Sequence, residues 1–496
     1  MTLCHAPFSH VYSGDPKVCA AKAFASSPRF CSAVGNDYEP ATDGQSVAHR
    51  HQARPAARRL TLGSGATMHR AQLRSGLERV LEAPVSAWVM LAFFIAYLLF
   101  FIGPVFFSSG RMQQVPDLPA AMNHIGNDLM LMLSYSASWF VGKSTPYIGL
   151  NLYPPVAAVV FTPLTFVEFA SAYRIITLLS VSCYAGLVFF LPWLATMRRS
   201  ITAVQILIFT TGLLSYGLQF ELERGQFNII AVTLCFFAIW LFHYNSQHRW
   251  LAYTLFILSV QLKLYPFIFI VMFIDDWEAG RSNFVRIAAL TLGCFLCFLV
   301  MGPKIAVDFA HRALGQSAAP PLWVFNHSIR AFVGMASESA IQHGWPWLSE
   351  YSGWLEAALL VFVGACLVIV TGRAYQRRSR GLNAPLLLAC TAAALLLPPV
   401  SWDYTLPALS APVAILLVNS SLSRRELGHS PSRDIGFVVG IVCLSGAYAS
   451  TLFSSTHKGH SLLFQNNLPA LCVMLLAVTC LELWYAGRLQ GLIPRT

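Results

Sequence analysis

Charged residues are scarce in this chain. Only 11% of its 496 residues are Asp, Glu, Lys or Arg, whereas 56% are hydrophobic. Soluble domains carry about 25% charged residues, so this composition excludes an ordinary soluble protein and predicts a polytopic membrane protein. The net charge of +11 does not indicate nucleic-acid binding, because excess Lys and Arg in a membrane protein mark its cytoplasmic loops.

Metal-binding patterns are also missing. Cys294 and Cys297 have C-x-x-C spacing, but they lie in an apolar run and no second pair follows. Most of the other cysteines likewise lie in apolar segments, which is typical of small buried hydrophobic residues. The segment 108–152 contains no D-x-D pair. We therefore expect that the protein uses no cofactor and needs no metal.

The N-terminal region lacks a long apolar run. Residues 1–83 include the basic stretch HRHQARPAARR, and we expect neither a signal peptide nor a span among them. One interpretation is a disordered basic tail. The other is that the protein begins at Met68, just before the first span. A membrane-embedded domain is then expected over residues 84–490.

Apolar runs long enough to cross a bilayer fill that domain, and they predict an all-α fold of about twelve transmembrane helices. The runs lie near 85–107, 153–169, 173–195, 201–219, 226–243, 250–274, 284–302, 353–371, 384–400, 404–419, 435–453 and 467–486.

The basic loops predict the orientation. The N-terminal region and the segments 372–381 and 423–433 are basic, which places them in the cytoplasm and the segments 108–152, 303–352 and 401–403 outside. The same scheme puts Arg224, Gln226 and Asn228 in the cytoplasm.

One basic loop disagrees with this orientation. The sequence MRRS (197–200) would lie outside. A re-entrant segment near 153–169 would bring Arg198 and Arg199 inside, but it would invert the later loops.

An acid lies in the first outer segment. Asp128 begins a stretch of mixed apolar residues and serines that suits a helix lying along the membrane interface, and Gly142 is a common stop signal. Tyr153-Pro154-Pro155 then opens the next apolar run. A lone carboxylate at the start of a helix often caps it, so capping is the simpler interpretation of Asp128.

The order of several short motifs changes that interpretation. Asp128 is followed by a helix with small residues, then by G-x-x-x-P-Y (142–147) and Y-P-P (153–155). Further along are ERGQFN, QLKLYP, NHSIRAF and LLLPPVSWDYTLPAL. Together they resemble glycosyltransferase family 87, over about residues 85–420. The chain departs from the family pattern at Met132, where a tyrosine is common, and at Tyr404, which stands where a histidine is usual.

The resemblance implies a C-fold enzyme with an interfacial helix in its first outer loop. It implies inverting, metal-independent transfer of a hexose, with mannose as the best-known case, from a polyprenyl-phosphate donor to a lipid or glycan acceptor. The reaction would occur on the extracytoplasmic face of the plasma membrane, with Asp128 as general base. The expected substrate-binding residues are Tyr147, Tyr153, Lys263, Asn326, Ser328, Arg330, Trp402, Asp403 and Tyr404.

Several of these residues have simpler interpretations. Arg and Lys suit phosphate binding, so Lys263, Arg330 and Arg224 are all candidates. Lys263 could instead extend to the interface from within its apolar run. Trp402 could be an interfacial anchor, and Asp403 either a second acid near Asp128 or a solvated charge.

Two other functions stay open. An envelope polysaccharide polymerase or ligase would use the segment 303–352 as its main site. A transporter or flippase for lipid-linked sugars usually has repeated halves with matching broken helices. The sequence contains no convincing internal repeat and no acid pairs within its apolar runs, which disfavours a transporter.

Overall fold

The computed structural model describes residues 125–142, 144–147, 151–196, 203–213, 215–378, 381–427 and 466–490. The predicted tail and the predicted spans near 85–107 and 435–453 lie outside these residues. Every regular element of the described part is a helix, which confirms the all-α prediction.

Sixteen α-helices are described. In chain order they are α1 (Asn127–Phe140), α2 (Pro155–Phe161), α3 (Phe169–Ala185), α4 (Leu191–Thr196), α5 (Ala203–Leu213), α6 (Tyr216–Arg224), α7 (Asn228–Tyr244), α8 (Arg249–Leu262), α9 (Gly280–Phe298), α10 (Pro303–Ala318), α11 (Ile329–Gln342), α12 (Pro346–Glu350), α13 (Ser352–Gln376), α14 (Ala384–Leu396), α15 (Ser410–Leu427) and α16 (Leu468–Gln490). The longer 3₁₀ helices are Thr162–Phe166, Tyr265–Phe273 and Asp403–Leu409, and a π-helical turn, Gly186–Phe190, joins α3 to α4.

Among the described residues, three helices are long and apolar enough to cross a membrane: Phe169–Thr196, Gly280–Phe298 and Ser352–Gln376. The pair α6 and α7, bent by 112°, would make a fourth as one broken span. Apolar helices of 10–17 residues account for more of the chain. These helices identify a membrane protein, and the number of twelve spans stays a prediction.

The contacts define two ends of the helical bundle. We call the end that carries Asp128 the site end. We call the other the basic end, because Arg249 and Arg286 both bind Asp275 there, at 2.6 and 2.7 Å. Arg377 pairs with Glu482 at 2.9 Å near this end as well. α7 joins the two ends. It begins just after Gln226, which contacts Asp128, and its last turn lies at the basic end.

The predicted span at 250–274 is a hairpin in the structure. α8 rises from the basic end to Lys263, which has an extended backbone (φ −148°, ψ 136°). The 3₁₀ helix Tyr265–Phe273 then returns, and the carbonyl of Phe273 accepts a hydrogen bond from Arg286 at 3.0 Å. Pro266 lies in the first turn of this helix, where its missing N–H is tolerated. The prediction of one span here was wrong, because a window of apolar residues does not reveal a reversal of the chain.

The predicted span at 153–169 does not reach the basic end. Before it, the Tyr153 hydroxyl lies 3.1 Å from Nε2 of Gln226. After it, the rings of Phe169 and Tyr173 crowd Gly126. Both ends of α2 and its 3₁₀ extension therefore lie at the site end, which agrees with the re-entrant alternative.

These two corrections compensate each other. One crossing is lost near 153–169, and one is gained at 250–274. The chain that leads into MRRS therefore lies at the basic end, where Tyr244 bonds to the carbonyl of Ala195 at 3.4 Å. Arg198 and Arg199 themselves lie outside the described residues. Segment 224–228 moves to the site end and the loop 244–249 moves to the basic end, whereas the loops after residue 274 keep their predicted ends.

Two apolar clusters support this arrangement. The larger one fills the bundle between α3, α5, α7, α14, α15 and α16. The smaller one lies under α1 and includes Leu129, Met132, Ala157, Phe161 and Phe227. α1 therefore has one buried face, which fixes the rotation of the helix and the direction of Asp128.

Candidate active site

Asp128 is the centre of a polar cluster at the site end. Arg224 Nη2 donates to its Oδ1 at 2.6 Å, and Gln226 Nε2 donates to its Oδ2. The residue before α1 is Gly126, which makes no side-chain cap bond. The carboxylate therefore binds side chains of another segment, and the capping interpretation does not describe its contacts.

Two glycines bring these segments together. Gly126 and Gly225 both have positive φ, at 65° and 66°, a conformation that costs an L residue about 1–2 kcal/mol. The N–H of Gly126 donates to the carbonyl of Glu223 at 2.7 Å. A Cβ on Gly225 would lie 3.3 Å from Cα of Gly126 and 2.9 Å from Cβ of Leu129. The close backbone approach places Asp128 against Arg224.

Gln226 connects Asp128 to a cation. Lys263 Nζ donates to Gln226 Oε1 at 2.9 Å. The same ammonium lies 4.4 Å from the ring centroid of Tyr153, 4.8 Å from that of Phe227 and 5.6 Å from that of Tyr404. Such ring contacts stabilise a cation that has lost water. Because the chain reverses at Lys263, its ammonium lies near Asp128, with the Gln226 amide between them.

The segment 401–409 forms another wall of the site. A Cβ on Gly217 would lie 2.6 Å from the Asp403 carbonyl, so α6 and the 3₁₀ helix Asp403–Leu409 are in close backbone contact. The ring of Tyr404 lies 5.6 Å from that of Phe220, on α6. Tyr404 therefore faces Lys263 with its ring.

Asp403 belongs to a buried polar network. Its Oδ1 accepts from Asn467 Nδ2 at 2.8 Å and lies 3.5 Å from His327 Nδ1. Nε2 of the same histidine lies 2.9 Å from the Ser401 hydroxyl. Because Asp403 is only 2% exposed, it is not a solvated loop charge, and its described contacts do not include Asp128.

Asn326 and Ser328 bind the chain just before the 3₁₀ helix Asp403–Leu409 begins. Asn326 Oδ1 accepts from the N–H of Ser401 at 2.9 Å, and its Nδ2 donates to the Pro399 carbonyl at 3.2 Å. The Ser328 hydroxyl donates to the same carbonyl at 3.0 Å, and its oxygen caps α11. Both side chains are fully buried, so their observed contacts are structural.

Trp402 packs edge-on against Trp323, with ring centroids 4.8 Å apart. Trp323 in turn lies 6.4 Å from the ring of Phe220. These rings continue the aromatic surface that begins at Tyr404. The indole of Trp402 thus packs against protein rather than standing alone as an anchor.

Tyr147 supports the site indirectly. Its hydroxyl donates to the carbonyl of Tyr153 at 3.0 Å. Burial of the phenol and the nearby carboxylate of Asp308 raise the pKa of Tyr147 far above its usual value, so the hydroxyl remains a donor. Arg312 donates to the carbonyl of Tyr147 at 3.3 Å, which ties this loop to α10.

Arg330 lies in different surroundings from the other predicted residues. Its Nε donates to Glu356 at 2.8 Å, and Nη1 donates to the carbonyl of Ser317. It lines a cavity of about 500 Å³ together with Ser337 and Ser352. Within the described residues, the structure records no contact between Arg330 and Asp128 or its partners. The prediction that Arg330 shares the Asp128 site is not supported by its contacts.

Three site residues were missed or misplaced from the sequence. Arg224 and Gln226 were recognised within ERGQFN but assigned to the cytoplasmic side. No motif in the sequence points to Glu221. It is fully buried and accepts the N–H of Ile229 at 2.7 Å, where an acid stabilises the start of α7. The motif ERGQFN is recognisable in the sequence. The predicted crossing near 153–169 placed it at the wrong end of the bundle.

In the described part of the chain, no group of three or more His, Cys, Asp or Glu side chains could hold a metal ion. The expectation that no metal is needed stays a prediction.

Comparison with known proteins identifies the family. A family model of glycosyltransferase family 87 matches residues 151–399, which is half of the chain and includes Tyr153, the Arg224–Gln226 segment, Lys263 and Asn326. No curated protein matches the chain.

Proposed function

Because the chain belongs to glycosyltransferase family 87, we propose that it transfers a hexose, taken here as mannose, from a polyprenyl-phosphate donor to a lipid or glycan hydroxyl on the extracytoplasmic face of the plasma membrane. The observation that carries this proposal is the Asp128 carboxylate placed beside Arg224 and linked through Gln226 to Lys263. This arrangement provides a base and two cations within one small cluster.

The carboxylate suits the acceptor side of the reaction. Asp128 takes the proton of the acceptor hydroxyl while that oxygen attacks the anomeric carbon, and the bond from this carbon to the phosphate oxygen breaks. A single displacement of this kind inverts the anomeric configuration. A positioned general base contributes about 10²–10⁴ in rate. Asp128 retains 14% side-chain exposure, which gives an acceptor access to it.

The cations suit the donor side. The leaving group is a lipid phosphate that gains charge as the glycosidic bond breaks, and Lys and Arg stabilise such charge. Lys263 is held by Gln226 and aromatic rings, without a salt bridge in the described part of the chain. The isoprenoid remains in the bilayer, because each buried methylene contributes about 0.8 kcal/mol.

The charge distribution supports the proposed membrane side. Arg249, Arg286 and Arg377 lie at the end opposite Asp128. Basic residues are retained in the cytoplasm, so the site end faces away from it.

Asp128→Asn tests the proposal. The purified protein is incubated with a radiolabelled polyprenyl-phosphate mannose and a membrane-lipid acceptor, and labelled product is counted. We expect transfer to fall by at least about 10² in Asp128→Asn. Asp276→Asn, an acid at the basic end, is the matched control and should keep wild-type activity. More than about a tenth of wild-type activity in Asp128→Asn would contradict the assignment of the base.

The same assay separates the proposal from its alternatives. A flippase moves the lipid-linked sugar without forming a new glycosidic bond. A polymerase or ligase requires a longer glycan donor. Absence of any transfer by the wild-type protein, with this donor and a range of acceptors, would contradict the proposed function.

A further inference from the structure

The Gln226 side chain occupies an unusual position between two opposite charges. One end of its amide meets the Asp128 carboxylate, and the other meets the Lys263 ammonium at 2.9 Å. An ammonium can only donate hydrogen bonds, and a carboxylate can only accept them. The amide therefore has one possible orientation, with Nε2 towards Asp128 and Oε1 towards Lys263.

Gln226 is also held rigidly. It is only 2% exposed, and the hydroxyl of Tyr153 lies 3.1 Å from Nε2. Its backbone N–H donates to the carbonyl of Glu221 at 2.9 Å. A side chain with its amide and its backbone both fixed can transmit the position of one neighbour to the other.

The two oxygens of Asp128 are held differently. Arg224 binds Oδ1 with a full positive charge, whereas Gln226 binds Oδ2 with a neutral amide. The amide sets the rotation of the carboxylate without adding a charge.

We propose that Gln226 is a positioning residue that aligns the Asp128 base with the phosphate-binding ammonium of Lys263. This inference rests on the proposed function. One amide fixes both the orientation of the Asp128 carboxylate and the position of the Lys263 ammonium. The attacking hydroxyl and the leaving phosphate, which belong to the opposite ends of the displacement, thereby keep a constant separation.

The first test separates alignment from binding. Gln226→Met keeps the length of the side chain and removes both hydrogen bonds. We expect kcat to fall by about 10²-fold, the loss typical of a misplacement of about 1 Å, while KM for polyprenyl-phosphate mannose changes less than about threefold. Gln205→Met is the control, because Gln205 is also buried at 3% exposure but bonds to the carbonyl of Val188, near α4. It should keep the wild-type kcat per folded molecule.

The second test does not need activity. Asp128→Asn combined with Gln226→Glu exchanges the carboxylate and the amide across the same contact. The exchanged pair can still form its hydrogen bond, so the double variant should have a higher Tm than Gln226→Glu alone. Residues in direct contact deviate from additivity in this way. The exchanged pair should nevertheless remain inactive, because the carboxylate has moved away from the acceptor.

The outcomes are distinct. A kcat for Gln226→Met within about threefold of wild type, or Tm losses that simply add in the double variant, would overturn the inference. If the wild-type protein transfers no sugar from the labelled donor, the proposed function fails, and the Tm comparison still decides whether Gln226 couples to Asp128.

Discussion

Gly225→Ala should damage the site without touching any of its functional groups. Gly225 has φ +66°, and an added Cβ would lie 2.9 Å from Cβ of Leu129 and 3.3 Å from Cα of Gly126. The left-handed conformation costs an L residue about 1–2 kcal/mol, and overpacking adds about 1–3 kcal/mol. If nothing moves, the variant loses about 2–5 kcal/mol from these two sources.

The segments around Gly126 and Gly225 can also separate to relieve the contact. An ordinary contact begins near 3.4 Å, so the two segments must part by about half an ångström. The bond from Gly126 to Glu223 would then lengthen, and Asp128 would move away from Arg224. Since a shift of about 1 Å can cost 10²-fold in rate, we expect kcat to fall by about 10-fold or more in the folded fraction.

The assay is the transfer of labelled mannose per folded molecule, measured together with Tm. Gly364→Ala is the control, because no atom lies within 4 Å of an added Cβ in α13, and Ala stabilises a helix interior by up to about 1 kcal/mol. Gly225→Asn separates the two costs, because Asn tolerates the left-handed conformation but still introduces the Cβ contact. A wild-type kcat and Tm in Gly225→Ala would refute the reasoning.

Two further predictions concern topology and phosphate binding. In a protein lacking its native cysteines, Ser144→Cys should react with a membrane-impermeant maleimide in intact cells. Ser246→Cys, in the loop before α8, should react only after permeabilisation. Labelling of position 246 from outside would contradict the hairpin at 250–274. Lys263→Met should raise KM for the polyprenyl-phosphate donor by about tenfold or more, as expected for a lost charged contact. Arg330→Met should change this KM by less than about threefold, because Arg330 already pairs with Glu356 in an exposed position. Equal effects of the two substitutions would show that Arg330 shares the phosphate site.

The general architecture could be predicted because it depends on composition. Apolar runs and scarce charge suffice to predict a helical membrane protein. The membrane side of each end stays a prediction, but the basic loops correctly grouped the segments 303–352 and 401–403 at one end of the bundle and 372–381 at the other. They did so although two spans were misassigned, because a lost crossing and a gained crossing leave the later loops unchanged. Loop charge therefore cannot detect a compensated pair of errors.

The site could be predicted only in part. The carboxylate of Asp128 and the ammonium of Lys263 stood out as charges in apolar surroundings, and the structure brings both together. Arg224 and Gln226 depended on which side of the membrane the chain had reached, and that was decided by the segment near 153–169, which does not cross to the basic end. Asn326 and Ser328 were identified from a motif, but a motif does not distinguish a residue that contacts substrate from one that supports a wall.

The contact between the two glycine segments also affects how the protein is made. Asp128 and Arg224 are 96 residues apart in sequence, and Lys263 follows 37 residues after Gln226. α1 therefore leaves the ribosome long before its partners exist, and closure of such a long loop is among the slower steps of folding. The acid of the first segment therefore remains without Arg224 through several insertion steps, and the complete site forms only after the hairpin at Lys263 has been inserted. Variants that delay this hairpin should prolong the lifetime of the incomplete site, and newly made chains would then be exposed to membrane quality control at this stage.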